Sequence, residues 1–105
     1  MEIIFNKKDY NSHKDFYQDI YNKLDGKSMP DWEQYGTLGG TLLDEFLWYC
    51  HNDNSHYIFL NFDVEKINQE KSYEDRQYAL ILRIFDDFIK EFPNNTIEFR
   101  NDEEQ

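Results

Sequence analysis

Apolar and polar positions alternate along this chain in blocks that each fit one element. "EIIFN", residues 2 to 6, is a short apolar run closed by polar residues, which predicts a buried strand. Ser12 with Asp15 three positions on resembles a capping box, and Phe16, Ile20 and Leu24 then recur every four residues until Gly26, which predicts an amphipathic helix. "GKSMPDWEQYG" reads as a loop broken by Gly26, Pro30 and Gly36. From Thr41 to Cys50 a second helix is expected, with Leu43, Phe46, Leu47 and Cys50 on its apolar side and Asp44, Glu45 and Trp48 largely off it. "HNDNS" breaks the pattern, and "HYIFLNF", residues 56 to 62, predicts a strand central to its sheet.

Residues 63 to 71 fit a short helix or a loop, since only Val64 and Ile67 share a spacing. Ser72 followed by Asp75 marks another cap. Tyr78, Leu82, Phe85, Ile89 and Phe92 then step by three or four until Pro93, predicting the longest helix. "NNTIEFR" supplies a turn and a last strand with Ile97 and Phe99 on one side, and residues 101 to 105 form an acidic tail expected to fray. Strands separated by helices require crossover connections. The expected fold is therefore a single α/β domain over residues 1 to 105, a small three-stranded parallel sheet covered by helices in the order β-α-α-β-(α)-α-β.

Charge narrows the possible partners. The 105 residues hold 22 acids against 11 Lys and Arg, a net charge of -11 that repels nucleic acid and anionic membranes and favours a basic partner. With aromatic residues at 18%, the chain carries enough apolar surface to fold despite that charge. Cys50 is the one cysteine, which excludes an intrachain disulfide and a thiol pair for zinc. "MEIIFNKKDY" has no signal-peptide core and no segment reaches membrane-spanning length, so a cytoplasmic location is expected.

Candidate chemistry is sparse. "HNDNSH" offers His51, Asp53 and His56 to a metal, but without a recognised ligand spacing, and a solvated turn explains it as well. Gly36, Gly39 and Gly40 precede a helix, as in phosphate-binding loops, yet no lysine follows and Asp44 with Glu45 would repel a phosphate. A small hydrolase would need Asp44 working with His51 or His56. The paired acids Asp44–Glu45 and Asp86–Asp87 point about a quarter-turn apart on a helix, so neither couple converges on one substrate. What distinguishes the first couple is its company. Trp32, Tyr35 and Trp48 lie close in sequence and are hard to bury together in so small a core, whereas interfaces favour such anchors.

Taken in order, a strand, a helix, a loop ending in "YG", a helix carrying "LLDEFLWYC", a strand, a long helix with "IFDDF" and a final "TIEF" strand resemble the barstar family of ribonuclease inhibitors along nearly the whole chain. The resemblance implies an inhibitor without catalysis or cofactor, whose acidic helix and preceding loop occlude the active site of a basic ribonuclease toxin. Two alignments are possible. Matching "YG" without a gap places Asp44 on the family's principal phosphate-mimicking aspartate. Matching "LLDEF" instead makes Asp44 the first of two helix aspartates and puts Trp48 where the second stands, with Glu45 able to substitute. Asp87 aligns with a family glutamate at the interface. The partner-binding set so implied is Tyr35, Asp44, Glu45, Trp48 and Asp87, with no nucleic acid, membrane or small-molecule substrate. The alternative is the same scaffold binding a toxin that is not a ribonuclease, or another basic protein.

Overall fold

The computed structural model describes residues 2–24, 43, 47, 48 and 54–101. Three parallel strands, β1 (Glu2–Asn6), β2 (His56–Leu60) and β3 (Thr96–Arg100), form a sheet in the order β1-β2-β3. The first and last crossovers carry helices α1 (His13–Leu24), α2 (Val64–Asn68) and α3 (Tyr73–Glu91), and a single 3-10 turn, Lys7–Asp9, follows β1. The expected α/β class, the parallel sheet and its central strand are all present. The open segment at 63 to 71 contains α2, started by Asp63, whose carboxylate accepts the Lys66 amide at 3.1 Å. Most of the helix expected over 41 to 50 lies outside the described residues; Leu43, Leu47 and Trp48 are helical.

Register explains which side chains share a face. Tyr57 pairs with Ile3 on one side and Ile97 on the other, and Phe59 with Phe5 and Phe99, so these six share the face toward the helices. Against them pack Phe16, Tyr17 and Ile20 of α1, Tyr78, Phe85 and Phe88 of α3, and Leu43 and Leu47. The core is largely aromatic: Phe5 stacks on Phe59 at 5.5 Å and meets Phe16 edge-on at 5.8 Å, while Phe85 stands edge-on to Phe59 at 5.2 Å. Each such ring, fully buried, contributes about 1.5–3 kcal/mol by leaving water, with edge-to-face geometry adding about 0.5–1.5 kcal/mol.

β2 is shorter than its apolar run. The expected strand over 56 to 62 ends at Leu60 because Asn61 takes a left-handed conformation (φ 65°), which turns Phe62 back into the core. At the other end of the molecule, α3 runs to Glu91 and Phe92 caps it, its amide donating to the Phe88 carbonyl just before Pro93. No helix among the described residues is long and apolar enough to cross a membrane.

Candidate functional site

Leu43 and Leu47, one helical turn apart, are wholly buried. Tyr17 of α1 is joined to this stretch by a hydrogen bond with the Leu43 backbone; burial pushes the Tyr17 phenol up, the neighbouring Tyr21 adds to the rise, and the Leu43 contact opposes it. Trp48 immediately follows the second leucine, and the 100° step per residue carries it off the buried side. It is 37% exposed, and its ring stands edge-on to Phe92 at 5.4 Å. Phe92 in turn leans on buried Phe88 at 5.3 Å. A partly exposed indole is thus seated on the core through one intermediate ring.

α3 supplies acid on this end of the molecule. Asp86, Asp87, Lys90 and Glu91 are exposed along its last turns. Asp86 holds Lys90 at 2.9 Å, one turn on, and raises the lysine's affinity for its proton. Asp87 and Glu91 lie one turn apart on the neighbouring stripe. Of the five residues expected at the interface, the structure therefore places Trp48 on Phe92 at the end of α3 and Asp87 on the exposed side of α3. Tyr35, Asp44 and Glu45 lie outside the described residues, as do Trp32, Cys50, His51 and Asp53.

The remaining histidines serve other bonds. His56 places Nδ1 2.6 Å from the Thr96 hydroxyl and Nε2 2.9 Å from Glu98, tying β2 to β3 across the sheet. Arg100 reaches the same carboxylate through Nε. The Arg100 bond first, then the His56 bond, hold the Glu98 carboxyl down at about 2. Among the described residues no group of three or more His, Cys, Asp or Glu is placed to hold a metal ion.

One polar cluster was invisible to periodicity. His13, 2% exposed, begins α1; its amide donates to Glu74 Oε2 at 2.7 Å, and its ring Nδ1 lies 2.8 Å from the same oxygen. Burial would raise the Glu74 carboxyl, but the His13 amide and ring outweigh it and hold the group below its ordinary value. Sixty-one residues separate the partners, so only a folded arrangement of α1 beside α3 reveals them.

Comparison with protein-family models, with curated proteins and with solved structures found no match.

Proposed function

We propose that the chain is a cytoplasmic inhibitor that binds the active site of a basic ribonuclease toxin and occludes it, performing no chemistry and holding no cofactor. The carrying observation is the split within one short stretch: Leu43 and Leu47 are fully buried while Trp48 stays partly exposed, propped on Phe92 beside the acidic flank of α3. That is the pattern of an element with one side given to the core and one to a partner. An indole offered to solvent on a rigid base loses little freedom on binding, which suits an anchor. Asp44 lies outside the described residues; the helix expected from the sequence would set it four residues before Trp48, and there we propose that it meets arginine or lysine in a nuclease cleft. Tyr35 and Glu45 complete the set, and Asp87 extends it along α3.

The net charge of -11 supports the same direction, because it steers a basic partner toward the surface. The resemblance to the barstar family names the class of partner. Trp48, standing in one alignment where that family has its second aspartate, favours a second possibility: the same scaffold aimed at a basic protein that does not cut RNA.

The test is capture from native cell extract on the immobilised chain, elution with denaturant, refolding, and assay of the eluate for RNA cleavage. Cleavage abolished by adding the chain back is the expected result. Asp44→Ala should weaken capture more than removing any acid of the tail. A basic partner that binds but leaves RNA intact would overturn the ribonuclease assignment and keep the scaffold.

A further inference from the structure

The outer edge of β1 is closed by a side chain. Thr96 donates its amide to the Ser55 carbonyl at 3.0 Å, and the Asn61 amide donates to the Arg100 carbonyl at 2.8 Å, so the odd-numbered residues along β2 turn their backbone groups toward β3. In a strand the N–H and C=O of one residue point to the same side and successive residues alternate, so His56, Ile58 and Leu60 turn theirs toward β1. In a parallel pair the residue opposite such a position turns its own groups away. Ile4 is opposite Ile58, with Glu2 and Asn6 in phase on either side. Among the described residues β1 pairs with β2 alone, which puts Ile4 at the middle of an outward row.

The Ile4 carbonyl is not left to water. The Lys23 ammonium, at the end of α1, donates to it. Asp19, one turn before Lys23, holds the same ammonium at 3.1 Å, and the Phe5 ring lies 5.5 Å from it. Asp19 is aimed in turn: the Tyr10 hydroxyl donates to the carboxylate oxygen that meets Lys23, at 2.6 Å, and the Tyr10 ring stacks on buried Phe16 at 5.2 Å. A relay thus runs from the core through Tyr10, Asp19 and Lys23 to one backbone oxygen. Fixing so flexible a side chain costs rotamer entropy, and these contacts offset it.

The strand beneath is one that pairs readily. β1 reads Glu-Ile-Ile-Phe-Asn, and Ile4 is 43% exposed; an apolar edge with unpaired backbone groups is a template for another strand. A second copy of β1 fits it. Laid antiparallel about a two-fold axis at Ile4, the outward rows meet with Ile4 opposite Ile4, Glu2 opposite Asn6 and, on the other face, Ile3 opposite Phe5. Apolar then meets apolar, and no like charges stand directly opposed. In that arrangement the Ile4 amide of each copy needs the Ile4 carbonyl of the other, the oxygen that Lys23 occupies.

We propose that Lys23, aimed by Tyr10 and Asp19, is a guard that holds β1 closed, and that releasing it lets two copies of this chain pair β1 to β1 in one continuous sheet. With the guard in place, pairing breaks a charge-assisted hydrogen bond on each copy, and the net charge of -11 on each adds repulsion. Without it, only the repulsion opposes pairing, and salt screens that. Trp48 and Asp87 take no part, so the guard stands or falls separately from the ribonuclease assignment.

The experiment compares the full-length chain with Lys23→Met and Lys23→Arg by sedimentation equilibrium and amide hydrogen exchange, at about 0.15 M salt, where the Debye length is about 8 Å. Methionine keeps an unbranched apolar stem and removes the donor. Lys23→Met should dimerise at least about tenfold more tightly than the native chain, the scale of one charge-assisted hydrogen bond, and its Ile4 amide should exchange more slowly as the dimer forms. Lys23→Arg, which keeps a donor, should behave as the native chain does. Adding Ile4→Lys to Lys23→Met sets two like charges against each other at the axis and should restore the monomer. Asp19→Ala leaves the lysine without its aim and should fall between native and Lys23→Met; where Lys23→Met fails to fold, an Asp19→Ala chain no more associated than the native one overturns the proposal. So would a folded Lys23→Met that stays monomeric, a dimer whose Ile4 amide exchanges as fast as in the monomer, or one that survives Ile4→Lys.

Discussion

Glu74 serves two partners in one residue: the first amide of α1, which has no acceptor within its own helix, and the buried ring of that same residue, His13. Removing the carboxylate takes an acceptor from both. Glu74→Ala should destabilise the fold by about 1–3 kcal/mol, and Glu74→Gln, which keeps one oxygen, by less; urea midpoints of the three proteins decide it. Glu98 makes a different, pH-dependent contribution. Its carboxyl titrates at about 2 in the fold against an ordinary 4.5. A carboxyl lowered by folding stabilises the native state above its unfolded value, and that stabilisation is lost as pH falls through the folded value. The stability gap between the native chain and Glu98→Gln should thus be constant above about pH 4.5 and close between there and pH 2. The gap is small because Arg100 is solvent-exposed and Glu98 and His56 are only partly buried, and a gap that persists unchanged to pH 2 would contradict the assignment.

At the scale of elements, the ends of α3 were readable before the fold was known, for local reasons. Ser72 accepts the Asp75 amide at 3.1 Å, as the Ser-to-Asp spacing implies, and Pro93 stops the helix within two residues of its last turn. Ser72→Ala should cost about 1 kcal/mol, measured as a lowered thermal or urea midpoint with α3 otherwise intact. The five residues of β1 were equally legible, since a short apolar run has few other uses. β2 was read two residues too long because Phe62 does enter the core, though by way of the Asn61 turn and not by strand alternation. Alternation placed Ile97 and Phe99 on one side correctly, but exposure depends on strand order, and β3 is an edge. Only the assembled sheet shows that. The same limit applies to the candidate site: Trp48 was separable from Leu43 and Leu47 by helical spacing, whereas its seat on Phe92 joins residues 44 apart in sequence, which no local pattern encodes.

Across the whole molecule, charge and anchoring are different physical tools and should separate kinetically. On the proposed function, the excess of 22 acids over 11 bases would act at range, drawing a basic partner in before contact, and salt would screen it: the Debye length falls from about 30 Å at 0.01 M to about 3 Å at 1 M. On the same proposal Trp48 would act only after contact, by displacing water around a ring that packs on Phe92, itself against Phe88. Exposed acids such as Asp87 should then govern the association rate, and the indole the dissociation rate. With the captured ribonuclease as analyte, Asp87→Asn should slow association modestly and flatten its salt dependence while leaving dissociation nearly unchanged. Trp48→Ala should speed dissociation by about tenfold or more, with the salt slope of association retained. If Trp48→Ala instead changed only the association rate, the indole would lie outside the buried part of the interface, and the contact would have to be centred farther along α3 toward Asp87.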